Sequence, residues 1–201
     1  MAARRKQLME SQQQGLGVRA MVEMALFAGV AYVLMFISLP IIPIVPYMKL
    51  DLSDLVVLLG MSVFGPGGAI LIAAVKELLY FVSTGMDVVN LIGVLTAFIA
   101  DLAYMLPISA VLRAHPNQLR RQVWAVLAGT LSLTAVLSLA NWGVITPLYL
   151  KVWGMSLGLP VNQLILLGII PFNLIKGVVL GILFILLHRR MQPWLAKHAQ
   201  H

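Results

Sequence analysis

The chain alternates long apolar runs with short polar or proline-rich breaks, and each break predicts where a helix stops. The first run, Val18 to Leu39, predicts a helix. It ends at Pro40-Ile41-Ile42-Pro43-Ile44-Val45-Pro46, where three prolines at this spacing exclude a helix and predict a loop. Asp51 and Ser53 are both good N-caps for a second helix. Phe64-Gly65-Pro66-Gly67-Gly68 predicts a tight turn into a third helix reaching about Ser83. A fourth helix is expected from about Val88 to Leu112, a fifth from about Val123, and a sixth from about Val161 to His188. Between Arg121 and Lys151 lie 29 residues without Asp, Glu, Lys or Arg, more than the roughly 20 a membrane crossing needs.

Composition turns these runs into membrane spans. Of 201 residues, 61% are hydrophobic and 10% charged, and the mean hydropathy is +0.96. One soluble domain of this length cannot bury that much apolar surface, so lipid must solvate most of it. The expected fold is an all-α integral membrane bundle of six transmembrane helices, spanning 18–190. A polar segment, 1–17, precedes it and a basic tail, 191–201, follows it. The first run is long and lacks a convincing cleavage site, so it reads as a retained helix rather than a signal peptide.

The net charge of +7 would suggest nucleic acid, but its distribution argues for topology instead. Arg4, Arg5, Lys6 and Arg19, then Arg113, Arg120 and Arg121, then Arg189, Arg190 and Lys197 fall on one side of a six-span bundle. The opposite side carries only Lys49 and Lys151. The positive-inside rule then places both termini in the cytoplasm and the Pro40–Leu50 loop outside.

No G-x-x-x-x-G-K-[ST] loop is present, so the chain is not expected to hydrolyse ATP, and there is no H-E-x-x-H. There is no cysteine, and His115, His188, His198 and His201 read as solvated loop or tail residues rather than metal ligands. No catalytic constellation lies at membrane depth, and Glu77 and Asp101 suggest no ion relay. A carrier or binding protein is expected, not an enzyme, with no cofactor.

Polar groups in hydrocarbon need a reason, because a charge there costs roughly 2.5–3.5 kcal/mol on insertion scales. Lys176 lies in Pro171-Phe172-Asn173-Leu174-Ile175-Lys176-Gly177. Asn173 and Lys176, three apart, share a helix face, and the proline frees backbone carbonyls beside them. Either they bind a ligand or Lys176 pairs with one carboxylate and stabilises the bundle. Asn141, which opens Asn141-Trp142-Gly143-Val144-Ile145-Thr146-Pro147-Leu148-Tyr149, offers an amide to a planar ligand. Trp142 and Tyr149 are stacking partners or interface aromatics. Lys49, Asp51 and Asp54 edge the outer mouth, Asp51 doubling as a cap. Lys76 and Glu77 are placed to pair with Asp54 or Asp101. On the first helix, Ala25 and Gly29 sit one turn apart, with Ala28 and Ala31 beside them. Such residues permit close helix approach, within the bundle or to another membrane subunit.

The order Lys49-Leu50-Asp51-Leu52-Ser53-Asp54, Phe64-Gly65-Pro66, Asn141 to Tyr149, and Pro171 to Gly177 resembles the riboflavin-specific substrate-binding (S) components, RibU type, of energy-coupling factor (ECF) transporters. The resemblance runs from about Ala25 to Trp194. It implies a six-helix S-component fold in the bacterial plasma membrane and high-affinity binding of riboflavin for ATP-driven vitamin uptake. The site would lie near the outer face, between the outer ends of the fourth, fifth and sixth helices. Asn141, Asn173 and Lys176 would bond the polar edge of the flavin. Lys49, Leu50, Asp51 and Tyr149 would complete the site, and the apolar Pro40–Leu50 loop would cover it. A transmembrane coupling subunit and two ATP-binding subunits would be the partners, docking at Ala25 and Gly29. The residues alone suit another planar heterocycle or vitamin as well, and leave open a membrane assembly protein that binds no ligand.

Overall fold

The structure, a computed structural model, describes residues 17–113, 116–153 and 159–198; residues 1–16 of the expected N-terminal segment, His115 and His201 lie outside them. Among the described residues every regular element is helical: α1 (Val18–Met35), α2 (Ser53–Thr84), α3 (Val88–Leu112), α4 (Leu119–Ala140), π1 (Asn141–Ile145), α5 (Thr146–Trp153), α6 (Val161–Leu164), π2 (Ile165–Ile169) and α7 (Ile170–His198). Among the described residues, five continuous stretches are long and apolar enough to cross a membrane, where six were expected.

The difference lies in α2. A straight helix rises about 1.5 Å per residue, which would hold Ser53 and Lys76 some 35 Å apart. Instead Lys76 Nζ donates to Ser53 Oγ at 2.9 Å. The element therefore folds back on itself, at Gly65, whose φ of 74° and ψ of −179° suit almost no residue but glycine. Pro66 follows as the first residue of the second arm, where its missing N–H costs nothing. The expected hairpin is present, but its first arm, 53–64, is only about 18 Å long and cannot cross hydrocarbon about 30 Å thick. Ser53 and Asp54 consequently begin their helix at the depth of Lys76, inside the bundle.

Other boundaries differ modestly from the sequence pattern. Helix α1 stops at Met35, because Leu39 leaves to form an isolated antiparallel bridge with Leu50. Helix α4 starts at Leu119, and α7 runs past Arg190 to His198. Asp87 caps α3 by accepting from Asn90 N at 2.9 Å.

The core joins Met24 and Ala28 of α1, Leu58 and Ile72 of the two α2 arms, Tyr104 and Ile108 of α3, Leu133 of α4, and Leu180 and Phe184 of α7. Tyr104 Oη donates to the Gly177 carbonyl at 2.6 Å, tying α3 to α7. The same glycine lets α4 pack closely on α7, since a Cβ on Gly177 would lie 2.6 Å from Thr130 Oγ1. The outward faces remain apolar, with Leu26, Val33, Leu78, Leu95, Leu131, Leu139 and Leu186 all exposed. That arrangement suits lipid rather than water. One expectation fails here. His188 is not solvated but buried on α7, against Phe184 and 3.1 Å from Ser62 Oγ. Ser62 lies near the Gly65 turn, and Met24 near the start of α1 reaches Gly68. The start of α1 and the far part of α7 thus share one end of the bundle.

Candidate ligand-binding site

At the opposite end, the segment between α1 and α2 folds over the bundle. The Leu39–Leu50 bridge closes it, with N···O distances of 2.9 and 2.8 Å. Val45, fully buried, anchors it against Ile165 and Ile169 of π2. Gly168 makes room, as a Cβ there would stand 2.7 Å from Val45 Cγ1. Beneath the loop lies a cavity of about 470 Å³, lined among others by Met35, Tyr47, Lys49, Glu77, Tyr80 and Tyr149. Its size falls within the range of small-molecule sites. A second, deeper cavity of about 130 Å³ reaches Asp54, Lys76, Phe172, Asn173 and Lys176. Tyr47, Lys49, Asp51, Glu77 and Ala97 border both, so the two adjoin.

The floor of the deeper cavity is a buried charge cluster. Asp54 bridges two lysines, Lys76 Nζ to Oδ1 at 3.0 Å and Lys176 Nζ to Oδ2 at 2.6 Å. Lys76 also meets Asp101 Oδ2 at 3.0 Å and, less closely, Glu77 Oε1 at 3.4 Å. The expected pairing of Lys76 with Asp54 or Asp101 is present with both, and the fold adds Lys176 to the same group. Pairing makes burial of these charges tolerable, since each alone would carry a desolvation penalty of several kcal/mol. Above the cluster, Tyr47 and Tyr149 pack with ring centroids 5.4 Å apart. Burial pushes the Tyr47 phenol above its ordinary pKa.

The candidate residues divide by geometry. Lys49 and Asp51 line both cavities, Tyr149 the larger, Asn173 and Lys176 the smaller. Asp51 also caps the first α2 arm, accepting from Ser53 N at 2.8 Å. Asn173 Nδ2 donates to the Ile169 carbonyl at 2.9 Å. Leu50 serves through its backbone bridge. Asn141 lines neither cavity. Its amide donates to the Leu137 carbonyl at 2.8 Å and accepts from Thr146 Oγ1 at 3.2 Å, bonds that bracket π1. Trp142 points away from the site, exposed and donating to Asn162 Oδ1 at 3.1 Å. On α1, Ala28 and Ala31 are buried in the bundle, whereas Ala25 is exposed and Gly29 half-exposed with open space around it.

Residues 19–188 match the family described as ECF transporter, substrate-specific component. The chain belongs to that family. It is 33% identical over 180 residues to the riboflavin transporter RibU of Staphylococcus aureus (strain TCH60), covering 89% of this chain and 93% of that protein. It is 30% identical over 182 residues to the riboflavin transporter FmnP of Bacillus subtilis (strain 168), covering 89% and 94%. A solved structure described as the S component of a bacterial ECF transporter superposes with a TM-score of 0.73 at 34% identity, covering 87% of this chain and 96% of that one.

As an S component, this multi-pass membrane protein is a substrate-binding subunit rather than an enzyme. Its cavities add residues that sequence reading left outside the site, among them Tyr47, Asp54, Lys76 and Glu77. Asp54 and Lys76 were legible as a charge pair but not as the floor of a cavity, because that depends on how far α2 folds back. Tyr47 carried a signal, an aromatic amid the prolines of a loop expected to cover the site.

Proposed function

We propose that this S component binds riboflavin with high affinity as the specificity subunit of an ATP-driven ECF uptake transporter. The observation that carries the reading is the pair of adjoining cavities. Apolar walls and three tyrosines offer faces to a flat ring, and Asn173 and Lys176 offer polar groups at the deep end. A flavin is such a ligand, an apolar plane with a hydrogen-bonding edge and a polar tail. Riboflavin transport by the similar proteins supports the choice.

In this reading Lys176, Asn173, Lys49, Asp51 and Tyr149 contact the ligand, and Leu50 holds the cover closed. Asn141 acts at one remove, fixing the π1 turn that carries Tyr149 to the cavity. Lys176 also has a structural share, because its 2.6 Å pairing with Asp54 would hold the α2 hairpin against α7 with no ligand present. The chain resides in the bacterial plasma membrane with both ends, 1–17 and 191–201, in the cytoplasm and the cover outside. Energy comes from partners: a transmembrane coupling subunit, met at Ala25 and Gly29, and two ATP-binding subunits.

The test is spectroscopic. Protein purified from riboflavin-containing medium should carry flavin absorbance, and stripped protein should quench flavin fluorescence stoichiometrically. Tight binding of a different vitamin without flavin binding would keep the chain an S component and overturn the riboflavin assignment.

A further inference from the structure

Among the described residues, Glu77 is the carboxylate that borders both cavities while lacking a hydrogen bond. It is 4% exposed, and neither Oε1 nor Oε2 has a hydrogen-bond partner among the described residues. Lys76 donates to Ser53 Oγ at 2.9 Å and Asp54 Oδ1 at 3.0 Å, and lies 3.0 Å from Asp101 Oδ2. Glu77 Oε1, at 3.4 Å, is the most distant of the four oxygens around that ammonium. The other cluster cation, Lys176, is held by Asp54. Asp101 shares the lack of hydrogen bonds but borders neither cavity. A buried acceptor without a donor is costly, and a ligand in the cavities that Glu77 borders can supply one.

We infer that Glu77 is a specificity-determining residue that accepts hydrogen bonds from hydroxyl groups of the bound ligand. The inference rests on the riboflavin reading and deepens it. A ligand whose ring edge reaches Asn173 and Lys176 and whose tail lies in the larger cavity crosses the boundary that Glu77 shares with Met35, Tyr47, Lys49, Asp51 and Ala97. The larger cavity has room for a polyol chain. There Glu77, an acceptor with no donor of its own when ionised, favours neutral hydroxyl-bearing ligands.

The experiment titrates riboflavin and lumiflavin, the same ring with a methyl in place of the ribityl chain, by fluorescence quenching. Wild-type protein should bind riboflavin at least about tenfold more tightly than lumiflavin. Glu77→Ala should weaken riboflavin by about tenfold to a hundredfold and leave lumiflavin little changed. Glu77→Gln keeps shape and one acceptor, so it should fall between, and gel filtration of both variants establishes folding. Equal losses for both ligands, or no loss for either, would overturn the inference while leaving the riboflavin reading standing. If neither variant folds, equal wild-type affinities for the two ligands overturn it. Wild-type protein that binds no flavin overturns both.

Discussion

Lys176 and Asn173 sit on adjoining turns of one helix, yet their local commitments differ. Lys176 is held by a carboxylate at 2.6 Å, while the amide nitrogen of Asn173 is held by its own helix at Ile169. Replacing either with alanine should weaken flavin binding by about 1–3 kcal/mol, because each removes a polar partner at a dry site. The two should differ in stability. Lys176→Ala also leaves Asp54 with Lys76 as its remaining cation, so its melting temperature should drop further than that of Asn173→Ala. Titration and thermal melting of the same samples check both parts, and unchanged titration curves for both would remove these residues from the site. At this scale the sequence was informative wherever a charge interrupted an apolar run, as at Lys176. It was silent where a role depends on distant partners. That Glu77 lies farther from Lys76 than Ser53, Asp54 and Asp101 do is set by the packed hairpin, which no local spacing reveals. Asn141 shows the converse, a polar residue noticed correctly whose amide is spent within its own helix.

The elements explain why the cover holds its place. The loop between α1 and α2 has one buried anchor, Val45, received by Gly168 in π2. Gly168→Leu should displace Val45, because the added side chain would occupy the space that Val45 fills. The cavity walls should be left in place, since Gly168 borders neither cavity. The expected result is faster flavin release with a smaller change in association, measured by stopped-flow fluorescence; an unchanged release rate would mean that Val45 does not hold the cover. Helix number and order were largely legible, because apolar runs and prolines set them. The unusual features were not. Asn141–Ile145 and Ile165–Ile169 read as ordinary helix by composition, and their π turns appear only once the chain is packed. The shortness of the first α2 arm was equally hidden, since the Gly65 turn shows where the chain reverses but not how deep Ser53 starts.

At the scale of the whole molecule, the bundle has two unlike ends, and each implies a side of the membrane. Arg19, Arg113, Arg120, Arg121, Arg189 and Arg190 belong to the end away from the cavities, which the positive-inside rule assigns to the cytoplasm. Ile44 in the cover and Asn117 between α3 and α4 are both exposed. On intact cells an impermeant thiol reagent should label Ile44→Cys and spare Asn117→Cys; the opposite pattern would reverse the orientation. A binding subunit so oriented still has to deliver its ligand inward. In the proposed function that work falls to partners, which need a surface. On α1 the small residues split: Ala28 and Ala31 pack inward, while Ala25 and Gly29 face outward, one turn apart. Small outward residues let a neighbouring membrane helix approach closely. Nothing lies within 4 Å of a Cβ placed on Gly29, so the isolated subunit can accept a larger side chain there. Gly29→Leu should even favour the helix slightly, glycine being about 1 kcal/mol poorer than the best helix formers. The variant should therefore bind flavin like the wild type. In vesicles holding the coupling and ATP-binding subunits, with ATP on the cytoplasmic side, it should fail to accumulate flavin. Normal uptake would move the docking surface elsewhere, and lost binding would make this face part of the site's own support. The wild-type chain in vesicles without partners should bind flavin but not concentrate it. Concentrative uptake by the chain alone, driven by an ion gradient, would make it a secondary transporter and leave α1 facing only lipid.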